Sequence, residues 1–151
     1  MLTGSVYESK YKGSDGVEHN TVFNGNFALN VLGGTEFALG RGIAMMLDGR
    51  VSYIGGRRHS PILLEESREA GYTVTDEARV YEERYSNYFR ADLKLGVRMN
   101  FSNTSHTIGI DVFNVTDQKN VFKYVYNPST KNVEKMYQYL FFPNIYYKLQ
   151  F

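Results

Sequence analysis

The chain has 151 residues, enough for one ordinary domain, and its 17 Lys+Arg against 16 Asp+Glu leave a formal net charge of +1. That balance excludes the basic excess expected of a nucleic-acid partner, and the absence of cysteine excludes a disulfide framework, a thiolate metal site and a cysteine nucleophile. The 13 Tyr and 10 Phe, with 14 Gly and only 3 Pro, favour strands and tight turns over helices.

No segment approaches the roughly 20 apolar residues of a transmembrane helix. A membrane β-barrel escapes that criterion, because its strands alternate apolar and polar residues. Met1 leads directly into polar, strand-like sequence without a secretory signal, so the start of the protein is expected to lie outside this chain, or the gene product to be truncated.

In chain order, a weak strand is expected near Ser5 to Lys12, followed by a polar link from Gly13 to Asn20. Over Asn26 to Val31, Phe27, Leu29 and Val31 share one face against Asn26, Ala28 and Asn30. A short link from Gly33 to Gly42 follows. Its Gly33, Gly34, Gly40 and Gly42 read as a tight turn, since no Gly-Lys-Ser/Thr follows to make a phosphate loop. From Ile43 to Tyr53 the apolar face is Ile43, Met45, Leu47, Gly49, Val51 and Tyr53, against Asp48, Arg50 and Ser52. A long polar stretch from Gly55 to Tyr88 is expected to hold a helix over Leu63 to Ala70, with Ser60 as N-cap, Pro61 in the first position and Gly71 as the stop. This loop is acidic, with Glu65, Glu66, Glu69, Asp76, Glu77, Glu82 and Glu83 outnumbering Arg68, Arg79 and Arg84. The clearest strand is Phe89 to Met99. Phe89, Ala91, Leu93, Leu95, Val97 and Met99 alternate with Arg90, Asp92, Lys94, Gly96 and Arg98. After a short link from Asn100 to His106, Ile108, Ile110 and Val112 alternate with Gly109 and Asp111. A hairpin around Asn127 to Lys131 precedes a last strand containing Ile145, Tyr147, Leu149 and Phe151.

The reading is therefore all-β: an antiparallel up-and-down meander of about six long strands over residues 1–151. The two short links fall at one end and the three long ones at the other, as in bacterial outer-membrane barrels with short periplasmic turns and long outer loops. Aromatics stand near strand ends (Phe27, Tyr53, Phe89, Tyr147, Phe151), where interfacial girdles would lie. The charged face, comprising Asp48, Arg50, Arg90, Asp92, Lys94, Arg98 and Asp111, is expected to look into an aqueous lumen. Sliding the Phe89 to Met99 strand by one residue would put Arg90, Lys94 and Arg98 into lipid, at up to about 2–4 kcal/mol each near the midplane. Cross-strand pairing gains only about 0.2–1 kcal/mol per pair. Register is thus set by polarity. Six strands fall short of the roughly eight in the smallest membrane barrels, so the chain is expected to be the C-terminal portion of a larger barrel.

Along essentially the whole chain, short motifs resemble the C-terminal end of TonB-dependent outer-membrane receptors, in the carboxypeptidase-regulatory-like subfamily. They are Tyr11-Lys12-Gly13, Gly55-Gly56-Arg57-Arg58, Glu83-Arg84-Tyr85, Tyr88-Phe89-Arg90-Ala91-Asp92-Leu93, Asn114-Val115-Thr116-Asp117, Asn127-Pro128 and Phe142-Pro143. The resemblance implies a passive barrel wall in the bacterial outer membrane, used in nutrient import, with the plug domain and remaining strands lying outside this chain. It implies contact with outer-membrane lipid and lipopolysaccharide, and with the TonB complex only through that plug. It also makes the terminal alternation Tyr147, Leu149, Phe151 similar to the signal read by the barrel assembly machinery. No cofactor or active site is implied.

His19, His59 and His106 are scattered without metal-ligand spacing, and no nucleophile, base and acid can be assembled, so no catalysis is expected. The candidate ligand contacts lie in the Gly55 to Tyr88 loop: Arg57, Arg58, Glu65, Glu66, Tyr81 and Arg84. Arg57-Arg58-His59 is the candidate for an anionic ligand or lipopolysaccharide. Two alternatives stand beside the importer wall. One is a soluble β-sandwich binding module of carbohydrate-binding type, and the other is a porin or adhesin barrel without a plug.

Overall fold

A computed structural model describes residues 1–14, 16–138 and 140–151. Six strands form a single antiparallel sheet, hydrogen-bonded in chain order: β1 (Leu2–Val6), β4 (Phe27–Gly40), β5 (Ile43–Ile54), β8 (Tyr88–Asn100), β9 (Ser105–Phe113) and β12 (Phe142–Gln150). The other elements are small and sit in the connections. Two-stranded antiparallel sheets are formed by β2 (Lys10–Lys12) with β3 (Glu18–Asn20), by β6 (Arg58–His59) with β7 (Glu83–Arg84), and by β10 (Val121–Asn127) with β11 (Asn132–Tyr137). One short helix, α1, spans Leu64–Ala70.

The expected meander is present, and its register carries one face continuously across all six strands. Leu47 stands between Thr35 and Leu95, Leu95 faces Ile110, and Ile110 faces Ile145. On the other face Asp48 pairs with Lys94, Lys94 with Asp111, and Asp111 with Asn144. Because side chains alternate at a period of two, these pairings put every apolar member of the Phe89 to Met99 strand on one side. The two links between β4 and β5 and between β8 and β9 lie at one end. The three long connections, residues 7–26, 55–87 and 114–141, lie at the other.

Four boundaries differ from expectation. The first sheet strand is Leu2–Val6 and not Ser5 to Lys12. Leu2 and Val6 align with Val31 and Phe27 and extend the apolar face, whereas Lys10–Lys12 turns out into the β2–β3 hairpin. The link expected from Gly33 is strand as far as Gly40: Gly33 faces Gly49, and at Gly34 a side chain would overlap the Asp48 carboxylate. The turn itself is confined to Gly40, Arg41 and Gly42, all at positive φ. Helix α1 stops at Gly71 in the left-handed conformation, as expected, but it starts at Leu64 with Leu63 at the N-cap and no side-chain cap. Ser60 lies too far upstream, because Ile62 is held in a bridge to Thr75, and the Ser60 hydroxyl accepts from the Tyr81 N–H. Finally, Phe142 and Pro143 belong to the last strand and do not merely precede it. Pro143 is tolerated there because β12 is an edge strand and needs no donor on its outer side.

No layer of the described residues covers the apolar face. Among the described residues the only buried hydrophobic side chains are Ala44 and Tyr126. Leu93, Leu95, Ile108 and Ile145 are exposed, Leu95 by 40% and Ile145 by 76%. A compact monomer of 17.4 kDa would expose about 7,900 Å². This chain exposes 10202 Å². A hydrophobic core of the soluble kind is therefore absent from the described residues, and the sheet is one layer thick.

Candidate functional site

All seven charged residues expected on one face are there, and six of them form ion pairs along it. Arg50 and Arg90 both grip Asp92. The Arg50 Nη2 to Asp92 Oδ2 distance is 2.6 Å, and Arg90 Nε lies 2.6 Å from Asp92 Oδ1. The same carboxylate accepts the backbone N–H of Asn114 at 2.9 Å, which fixes the start of the long connection after β9. Further along, Lys94 Nζ sits 3.7 Å from Asp111 and 4.3 Å from the centre of the Tyr146 ring, and Arg98 pairs with Glu36. Asp48 lies on this face without an ion pair among the described residues.

Asp92 is the most constrained of these groups, because three donors converge on it. Asp92→Asn should therefore lower stability by roughly 2–3 kcal/mol, the cost of weakened charged hydrogen bonds reduced for the solvent reaching Arg50 and Arg90. The midpoint of denaturant unfolding measures this, and Lys94→Gln, which breaks only a loose pair, should change it far less.

The long connections fold together into a cap over the end of the sheet. Arg58 donates its backbone N–H to Val22 O, Tyr85 donates to Arg57 O, and Arg84 reaches Asn24 O and the Asn26 side chain. Asn120, only 5% exposed, imitates a strand neighbour: its Oδ1 accepts from Phe89 N at 3.0 Å and its Nδ2 donates to Phe89 O at 2.7 Å. Asn114, 2% exposed, closes its own turn by donating to Gln118 O and accepting from Gln118 N. At the centre of the cap His59 stacks on Tyr85, with ring centres 4.2 Å apart, and meets Tyr124 edge-on at 5.1 Å. Burial pushes the Tyr85 hydroxyl above its ordinary value, against smaller opposing effects from a Tyr124 backbone group and Arg57.

Three close approaches make this cap possible. A side chain on Gly55 would overlap the Gly25 carbonyl oxygen, one on Gly56 would overlap the Tyr85 carbonyl oxygen, and one on Gly25 would come within 2.5 Å of Gly55 O. The chain segments cross backbone to backbone, with no room for a Cβ.

Of the six candidate ligand contacts, Arg57, Arg58, Tyr81 and Arg84 converge in this cap. Arg57, Arg58 and Tyr81 line one cavity of about 420 Å³. Glu65 and Glu66 do not join them, since they occupy the exposed first turn of α1. A second cavity, of about 360 Å³, opens between the charged face and the cap and is lined by Arg50, Ser52, Arg57, Arg90, Asn120 and Gln138 among others. Sequence reading assigned Arg50 and Arg90 to the strand face and Arg57 to the loop. It gave no sign that the three meet, and Asn120 and Gln138 were missed because an isolated amide carries no pattern.

The terminal residues Tyr147 and Leu149 fall on the apolar face, and the Tyr147 hydroxyl meets His106 Nδ1 at 2.6 Å. Phe151 follows the end of β12 and is almost fully exposed. No group of His, Asp and Glu able to hold a metal occurs among the described residues.

No family model, curated protein or solved structure matches this chain. Its function is therefore argued from its own geometry.

Proposed function

We propose that this sheet is part of the wall of a transmembrane β-barrel in the bacterial outer membrane, and that the barrel is a TonB-dependent importer of nutrients. One observation carries the reading: a continuous apolar face with nothing over it, backed by a continuous charged face, on strands whose long connections all emerge at one end. Water is a poor partner for such a face, and hydrocarbon is a good one.

Dimensions support the same partner. Phe27 and Phe37 stand ten residues apart on the apolar face of β4. Ten residues at about 3.3 Å each, tilted about 40° as in membrane barrels, rise about 25 Å, which is the height of an outer-membrane apolar band. Phe27, Tyr53 and Phe89 gather at the long-loop end, with Phe27 and Tyr53 ring centres 5.4 Å apart and Tyr53 opposite Phe89. Phe37, Tyr147 and Phe151 belong to the short-turn end. Two aromatic rows flanking a band of aliphatic residues fit the two interfaces of a bilayer.

Both edges of the sheet, β1 and β12, have a free side, and six strands are too few to close around even a packed interior. The complete barrel then takes further strands and a plug from sequence beyond this chain, with the charged face against that plug. The role of this portion is passive: a scaffold without cofactor or catalytic group, placing three long connections where solute arrives. Outer-membrane lipid and lipopolysaccharide surround it, the barrel assembly machinery reads its terminal Tyr147, Leu149 and Phe151, and TonB acts through the plug alone. The importer identity rests on the ordered motifs from Tyr11 to Phe151. The barrel wall rests on the sheet.

The absence of cysteine allows a direct test. In the protein expressed with the sequence encoded upstream of Met1, any cysteine there replaced by serine, Leu93→Cys and Lys94→Cys variants are labelled with a polarity-sensitive fluorophore and exposed to doxyl-labelled lipid. Strong quenching at position 93 and little at 94 is the expected result. Recovery of the chain as a stable monomer in buffer, without detergent and without quenching at 93, would refute the wall.

A further inference from the structure

We infer that the cleft under the cap is a receiving site for an anionic group, a carboxylate, sulfate or phosphate, carried by an incoming solute. The inference rests on the barrel-wall reading for its place on the solute's path, but its chemistry is local. The cleft brings Arg50, Arg57 and Arg90 to one concavity of about 360 Å³, with Ser52 and the amides of Asn120 and Gln138 beside them. One carboxylate, Asp92, stands against these three guanidinium groups, and it is shared by Arg50 and Arg90. No acidic side chain among the described residues pairs with Arg57. The site thus holds a surplus of two positive charges in a chain whose overall balance is +1.

Arg57 is also held in a manner suited to receiving a ligand. Its guanidinium lies 5.5 Å from the centre of the Phe122 ring, and Nη2 donates to Phe122 O at 2.8 Å. A guanidinium carries five N–H donors in a fixed fork that matches an anion's paired oxygens. The Phe122 carbonyl takes one of them, and the ring holds the plane steady. Arg57 also lines two further cavities, so it stands where the three meet. A neutral sugar would find hydrogen bonds here but would leave the surplus charge unanswered. An acid answers it, and the concavity, which carries apolar groups such as Ile54 and Val121 beside its polar ones, strengthens the attraction relative to open water.

The test uses the protein expressed with the sequence encoded upstream of Met1, in detergent, with three probes: citrate, inorganic phosphate and the neutral trisaccharide maltotriose. Calorimetry reads affinity, and the Nε–Hε resonances of the arginines report where binding occurs. Citrate or phosphate should bind and shift the Arg57 and Arg90 resonances, while maltotriose should not. Arg57→Gln should weaken anion binding at least tenfold, whereas Arg57→Lys, which keeps the charge but loses the fork, should weaken it only a few-fold. Anions that leave the Arg57 resonance unmoved, or an Arg57→Gln chain that binds as tightly as the parent, overturn the site. Flotation with lipid vesicles separates this failure from that of the barrel wall. A chain that floats and binds no anion ends the cleft proposal alone. One that binds citrate and remains in buffer supports the cleft and removes the membrane.

Discussion

Leu95→Arg is expected, under the proposed barrel-wall role, to lower stability in lipid by about 2–4 kcal/mol, the cost of an arginine near the middle of the lipid-facing surface of a barrel. Leu95 lies mid-strand in β8, with Leu47 on one side and Ile110 on the other, far from both aromatic rows. Leu95 is exposed and no layer of the described residues packs over it, so the substitution breaks no packed core and creates no internal cavity. Under that proposal, lipid alone makes it costly. In a water-exposed sheet the same change would lie within about ±0.5 kcal/mol, as for most surface positions. Lys94→Gln, one residue away on the opposite face, loses only a 3.7 Å pair with Asp111 and should cost under about 1 kcal/mol. Urea unfolding in vesicles measures both. An unchanged midpoint for Leu95→Arg would leave the apolar face without its lipid partner.

Much of this sheet was legible in the sequence because polarity alone sets its register. In the Phe89 to Met99 strand every second residue is apolar, and a slip of one residue would reverse the whole set. The two glycines at 33 and 34 misled for a physical reason: in a hairpin protein Gly usually marks a turn, whereas here Gly34 makes room on the charged face for Asp48. The first strand was displaced because Tyr11 and Lys12 alternate as a strand should. They do form one, but in an outer hairpin. The helix stop at Gly71 was legible, since a left-handed residue there nearly demands glycine. Its start was not, because no capping side chain announces it. The cleft was the least legible feature. Arg50, Arg57 and Arg90 come from two strands and a loop, and only the crossing of the connections brings them to one cavity.

That crossing is the second place where a small change should have a large effect. Gly55→Ala should loosen the cap by roughly 3 kcal/mol or more, because the added methyl would meet a backbone carbonyl, which cannot rotate away as a side chain would. Gly55 is also tied in place: its N–H donates to Phe27 O at 2.9 Å, so the strand end cannot retreat without breaking the last rung between β4 and β5. The next residue, Gly56, donates to the Asn87 side chain at 3.2 Å and lies against the Tyr85 carbonyl, which couples both ends of the 55–87 connection to the same point. Strain at Gly55 therefore passes to Arg57, two residues on, and to the cleft it lines. The six-stranded sheet below should persist, since its ladder does not run through the cap. Limited trypsin digestion reads the difference: cleavage at the exposed Arg68 and Arg79 should accelerate about a hundredfold, as a 3 kcal/mol loss in local stability implies. Gly40→Ala, which meets no neighbouring atom but strains a positive-φ turn at the far end of the sheet, should leave those cleavage rates unchanged. Equal digestion of the Gly55→Ala chain and its parent would mean that the connections do not cross as described, and the arginine cleft would lose its roof.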